Sequence, residues 1–182
     1  DLTASEISVR IGASWIDQKY YQQFMYDLLQ TPWRLRGNKI KLLYSDATGE
    51  WRVLNKGADS KDNVKVHTTY GTKRANAYEI FEDALNQRDV RIFDKKWVDG
   101  KETRVLNEKQ TVIAQQKQEA ICEAFKDWIF KDPERRETLC KKYNALFNNI
   151  RPREYDGSHI RFSGMAPEIS LRPHQKNALA HI

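Results

Sequence analysis

The chain has 182 residues, with 31 Lys and Arg against 25 Asp and Glu, a formal net charge of +6 and 40% hydrophobic residues. That is enough for one ordinary domain with its own core, and too apolar for general disorder. No run of 18 apolar residues and no signal-peptide pattern occurs, which leaves neither a spanning helix nor a secretory leader and points to a cytoplasmic protein without a membrane partner.

At the start of the chain, Thr3 or Ser5 with Glu6 gives a capping signature, so a short helix is expected to run to about Ile11 and to end at Gly12. Ser14 or Asp17 caps a second helix, in which Tyr20, Tyr21, Phe24, Met25, Leu28 and Leu29 recur at spacings of three and four and Pro32 marks the end. From Lys39 the period changes to two. Ile40, Leu42 and Tyr44, a turn at Asp46-Ala47-Thr48-Gly49, then Trp51 and Val53 read as a hairpin. After a loop over 56–63, the β-branched run Val64–Tyr70 predicts a third strand. A turn at 71–74 precedes an amphipathic helix carrying Ala77, Tyr78, Ile80, Phe81, Ala84 and Leu85. Arg91–Phe93 and Thr103–Leu106 flank Asp99-Gly100, the strongest hairpin dipeptide in the chain.

Residues from Glu108 to about Ile129 form one long helix, with Ile113, Ala120, Ile121, Ala124, Phe125 and Trp128 along one side and a Gln- and Lys-rich face expected in solvent. Asp132-Pro133-Glu134 restarts a helix that buries Leu139, Tyr143, Leu146 and Phe147 and ends near Ile150. The fold class is therefore α+β. A small mixed or antiparallel sheet with flanking helices occupies 1–106, a long helical hairpin arm follows over 107–150, and 151–182 is a loop and lead-in. The arm is expected to dock through Phe125, Trp128, Tyr143 and Phe147. Cys122 and Cys140 lie on predicted helices with no C-x-x-C and no histidine pair beside them, so buried free thiols are expected rather than a metal site.

The basic excess is concentrated. Between Trp33 and Arg74 there are ten Lys and Arg against four acids, an excess of six that accounts for the whole net charge. Such a block is the footprint of phosphate binding, because neutralised phosphates release counterions, and equally of a solvated basic surface. Candidate DNA-binding residues are Lys39, Lys41, Arg52, Lys65, Lys73 and Arg74, with Arg151 and Arg153 from the later loop. Trp33, Tyr44, Trp51 and Tyr70 interleave with these cations as in single-strand-binding surfaces, although hairpin alternation turns at least two of them inward and favours core packing. Tyr70–Arg74 sets two cations and a hydroxyl at a helix entrance, where Gly71 would let a phosphate approach the backbone. The alternative is a strand-to-helix turn with solvated cations. The loop Arg151–His159 pairs no nucleophile with a base in a recognised order, so no catalytic residue is assigned.

Several segments together carry a resemblance: Phe125–Arg136, Tyr143-Asn144, Phe147-Asn148, Ile150–His159, Pro167-Glu168 and Leu171–Gln175, with Ile11-Gly12, Trp15, Tyr44-Ser45, Gly49–Trp51, Tyr70–Arg74 and Asn76–Tyr78 upstream. This set resembles DNA methylase/helicase fusion proteins of bacterial phages, plasmids and conjugative elements. The resemblance implies an N6-adenine methylase region, then this segment as connector, then a Swi/Snf-type superfamily II motor. Leu171-Arg172-Pro173-His174-Gln175 looks like the stretch that precedes the P-loop in such motors, where Gln175, with Arg172, would contact the nucleotide. ATP with Mg and S-adenosylmethionine are implied for the parent protein, with no cofactor for this segment. With Asp1 in the first position, the chain is expected to be an internal piece of that larger protein. Neither G-x-x-x-x-G-K-[ST] nor [DN]-P-P-[YF] occurs, so no complete active site is expected here. Two functions follow: a DNA-contacting accessory domain that tracks the backbone weakly and without sequence preference, partnered by the adjacent methylase and helicase domains, or a passive spacer whose charge serves solubility.

Overall fold

Helix α1, Gln18–Leu29, turns Tyr20, Tyr21, Phe24, Met25 and Leu29 into the core as their spacing predicts, adds Tyr26 to that face and leaves Leu28 half-buried. The structure is a computed structural model, and it describes residues 1–148. Two compact units divide the chain at Leu146 and Phe147, and the described architecture is that of the first, Asp1–Leu146. Arg151, Arg153, Gln175 and Arg172 lie outside the described residues.

Helix α1 ends at Gln30, whose left-handed backbone returns its N–H to the Tyr26 carbonyl, two residues before Pro32. The amino-terminal segment departs from expectation. Thr3 N–H does bond the Glu6 carboxylate at 2.8 Å, as a capping box requires, but residues 4–6 form one turn and no helix follows. Ile7, Val9 and Ile11 instead alternate inward as an extended segment.

Strands β1, Lys41–Ser45, and β2, Glu50–Leu54, pair antiparallel with Leu42 opposite Val53 and Tyr44 opposite Trp51. The turn between them uses Gly49 at φ 69°, a left-handed position that glycine occupies without a Cβ clash. The expected third strand is a π-helical turn, Lys65–Thr69. Hydrogen bonding explains why this hairpin needs no third strand. Along β1, the Leu42 N–H donates to Gln22 Oε1 at 2.9 Å, while Gln18 Nε2 donates to the Leu42 carbonyl and the Tyr26 hydroxyl to the Ile40 carbonyl. On β2, Glu82 Oε2 accepts from Val53 N–H at 2.8 Å, and Asn86 takes both the N–H and the carbonyl of Trp51. Side chains of two helices thus occupy both open edges, the groups another strand would otherwise pair.

Helix α2, Ala77–Leu85, starts at Asn76, whose side chain accepts from Glu79 N–H. Strands β3, Phe93–Val98, and β4, Lys101–Leu106, form a second antiparallel hairpin through Asp99-Gly100, as that dipeptide predicts. The α+β class holds, with the strands gathered into two separate two-stranded ladders.

Helix α3, Glu108–Ile129, brings Ala114, Ile121, Phe125 and Ile129 into the core of the same unit. Phe125 stacks on Tyr21 at 5.2 Å between centroids and meets Phe24 edge-on at 5.2 Å. The glutamine face of α3 is not simply solvated. Gln118 is buried, accepts from Val90 N–H and donates to the Arg88 carbonyl, while Thr111 accepts from Ile92 N–H and Gln115 donates to the Val90 carbonyl. Thr111, Gln115 and Gln118 lie on one helical face and clasp the extended segment 88–92. Helix α4, Pro133–Phe147, begins at Asp132, whose carboxylate accepts from Arg135 N–H at 2.8 Å. Cys122 and Cys140 are half-buried free thiols rather than fully buried ones, and burial pushes both above the usual thiol range.

Candidate nucleic-acid interface

The basic residues between Trp33 and Arg74 do not form one surface. Lys41 and Arg52 share the outer face of the first hairpin, since each sits out of phase with the buried Leu42, Trp51 and Val53. Lys39 is exposed just before β1. Lys65, on the π-helical turn, borders a different groove, about 820 Å³ in volume, with Tyr70, Trp128 and Phe130. Of the aromatic residues in this block, Trp51 is buried against Tyr44 at 4.5 Å and Tyr70 is half-buried, whereas Trp33 is 82% exposed under the Arg36 guanidinium at 4.2 Å.

Lys73 and Arg74 sit side by side in the turn before α2, yet among the described residues only Arg74 has a partner for its head group. Arg74 donates to Asp94 Oδ1 at 2.7 Å and to the Phe93 carbonyl at 2.8 Å, so it straps the turn to the base of the second hairpin. The same hydrogen bond, aided by Asn107, holds the Asp94 carboxyl below the usual range. The Thr72 hydroxyl is committed too, accepting from the N–H groups of Arg74 and Ala75. Gly71 serves the protein's own backbone: a Cβ there would lie 2.0 Å from the Val66 carbonyl oxygen. The close approach that glycine permits is therefore to the π-helical turn.

Two cavities have Arg74, Ala75 and Glu79 in common among their lining residues. One, of about 400 Å³, extends to Lys61, His67 and Lys73. The other, of about 350 Å³, runs to Arg91, Phe93, Lys95 and Arg104 at the foot of the second hairpin. Together they make a furrow along α2 that six cations border, namely Lys61, Lys73, Arg74, Arg91, Lys95 and Arg104. Against these stand Glu79 and Asp83, with Asp94 paired to Arg74 and Glu102 to Lys95; partial burial raises the Glu79 and Asp83 carboxyls above their ordinary range, so neutralising them is easier than for free acids.

Residues 10–149 match the family model described as Domain of unknown function, DUF8437. The chain belongs to the DUF8437 family. No curated protein and no solved structure matches it. In this DUF8437 domain the charge pattern of the first 74 residues pointed to one half of the furrow only. Arg91, Lys95 and Arg104 fall after the basic block, in a stretch where acids dilute them, and the signal that could have found them is the Asp99-Gly100 hairpin that folds Lys95 opposite Arg104.

Proposed function

We propose that the chain is a DNA-contacting accessory domain that binds the phosphate backbone along the furrow beside α2, without reading sequence. The observation that carries this reading is the convergence of six cations from five separate segments on two adjacent cavities that share Arg74, Ala75 and Glu79, beside two weakened acids. Phosphates in such a groove displace condensed counterions, which makes affinity weak, general and steeply salt-dependent. The resemblance to methylase/helicase fusions is consistent with this role, as a connector that keeps DNA close to neighbouring catalytic domains. ATP and S-adenosylmethionine would belong to those domains, and no step is assigned to them in the described residues.

The spacer reading draws on one observation, the internal use of Arg74 as a strap. Fluorescence anisotropy of labelled DNA across a salt series separates the two. A backbone binder gives micromolar or weaker affinity at physiological salt, with a negative slope of log affinity against log salt. Absence of binding at low salt would leave the spacer.

A further inference from the structure

The second hairpin leaves its tip open to solvent. All of β4 and the outer four residues of β3 are exposed, and Trp97 at 74% and Val98 at 51% crown it. Register decides which side chains share a face. Trp97 lies opposite Glu102, Lys95 opposite Arg104, and Phe93 opposite Leu106. Opposed pairs two residues apart along a strand fall on one side of the ribbon, so Phe93, Lys95, Arg104 and Trp97 form a single column. Its lower part is the wall of the furrow, and its upper end is the indole.

We propose that Trp97 is a base-stacking residue and that this surface takes single-stranded or otherwise unpaired nucleic acid in preference to duplex. The inference rests on the reading of the furrow as a phosphate-binding surface. Lys95 and Trp97 are separated by two residues, ~6.6 Å along the strand, within reach of one nucleotide. A phosphate held at Lys95 and Arg104 therefore sets its base beside the indole. The Arg104 guanidinium already covers the Phe93 ring at 4.2 Å, which leaves the indole as the column's ring for a ligand. In a duplex the flat faces of the bases are taken by their neighbours, whereas any unpaired base offers a π-face, so stacking selects strand state and tolerates sequence. The Glu102 carboxylate beside Trp97 is tied to Lys95 at 3.3 Å, an exposed pair of the kind worth little in water and readily exchanged for a phosphate.

The test uses the full chain, its W97A and W97F variants, a short labelled oligothymidine and a matched duplex at low salt. W97A loses ~5- to 150-fold in affinity for the oligothymidine, the loss of one stacked base, W97F retains most of it, and duplex affinity is nearly unchanged in both. Oligothymidine affinity unaltered in W97A removes the stacking role while leaving the furrow reading intact, and an equal loss on both DNAs removes the strand preference. A wild-type chain that binds neither DNA overturns the furrow reading and the stacking role together. Self-association of the wild type that W97A abolishes assigns the tip to a second copy and overturns the proposal.

Discussion

Asn86, which caps the end of α2, holds both backbone polar groups of Trp51 on β2: its Oδ1 accepts from the Trp51 N–H at 2.8 Å and its Nδ2 donates to the Trp51 carbonyl at 2.8 Å. One amide thus imitates a third strand beside the second residue of β2. Asn86→Ala leaves a part-buried N–H and C=O unpaired, for an expected loss of ~1–3 kcal/mol. Asn86→Asp keeps the acceptor and loses the donor, so it should fall between the two. Urea denaturation of the three proteins reads the order, and an Ala variant within about 0.5 kcal/mol of wild type would show that water replaces the clasp.

That clasp also shows where the sequence was legible and where it was not. Long periodic elements were readable: the bounds of α3, the restart at Asp132-Pro133 and both hairpins follow from spacing, capping and turn chemistry alone. Val64–Tyr70 was not, because β-branched residues favour a strand only when an edge is open to receive it, and Asn86, Glu82, Gln18 and Gln22 already fill the edges of the first hairpin. Polar side chains that replace strands carry no hydrophobic period. Gln118 looked like surface for the same reason, and the furrow was half legible because its far wall comes from a hairpin whose own charge is nearly balanced.

The docking of α3 should be carried more by Phe125 than by Trp128. Phe125 is fully buried between Tyr21 and Phe24, so Phe125→Ala should cost ~3–5 kcal/mol. Trp128 is half-buried, with Arg135 over its ring at 3.5 Å and Asp27 accepting from its Nε1 at 3.2 Å. Its replacement by Ala should cost less than the Phe125 change. Thermal unfolding of both variants settles the ranking, and the reverse order would mean that the α3–α4 corner, not the aromatic centre, fixes the helix.

Gly71 and Gly57 make a paired test of backbone room. A methyl at Gly71 meets the Val66 carbonyl at 2.0 Å, so Gly71→Ala should destabilise by ~1–3 kcal/mol through overpacking. Gly57 has open space around the same position and no positive φ, so Gly57→Ala should be neutral or stabilise by up to ~1 kcal/mol by restricting the unfolded chain. Equal effects at the two sites would contradict the assignment of Gly71 to the π-helical turn.

Glu79 gives the pH dependence of the furrow. Burial raises its folded-state pKa above the ordinary glutamate value, so its contribution to stability is fully present below that ordinary value and is lost as pH rises through the raised one. Glu79→Gln removes this decline. The difference in unfolding free energy between variant and wild type should therefore grow in the variant's favour across that window and then level off. A difference independent of pH would mean that Glu79 titrates alike in both states.

Lys73 and Arg74, adjacent in sequence, should separate under mutation. Lys73 is exposed and takes no part in the strap, so Lys73→Ala should leave stability within about 0.5 kcal/mol of wild type. Its signature is on DNA, where losing one phosphate contact flattens the slope of log affinity against log salt by about 0.9 on duplex and 0.7 on single strands. Arg74→Ala frees Asp94 and the Phe93 carbonyl together, and because that pair is two-fifths exposed its removal should cost no more than ~1 kcal/mol. Losing the strap should also loosen the foot of the second hairpin, so Arg74→Ala should lower affinity by more than one lost charge explains. Arg74→Lys sharpens the distinction, since it keeps the charge but not the two-pronged grip on Asp94 and Phe93. If affinity in Arg74→Lys matches wild type, Arg74 acts on DNA through charge alone; if it falls with Arg74→Ala, the strap positions the furrow.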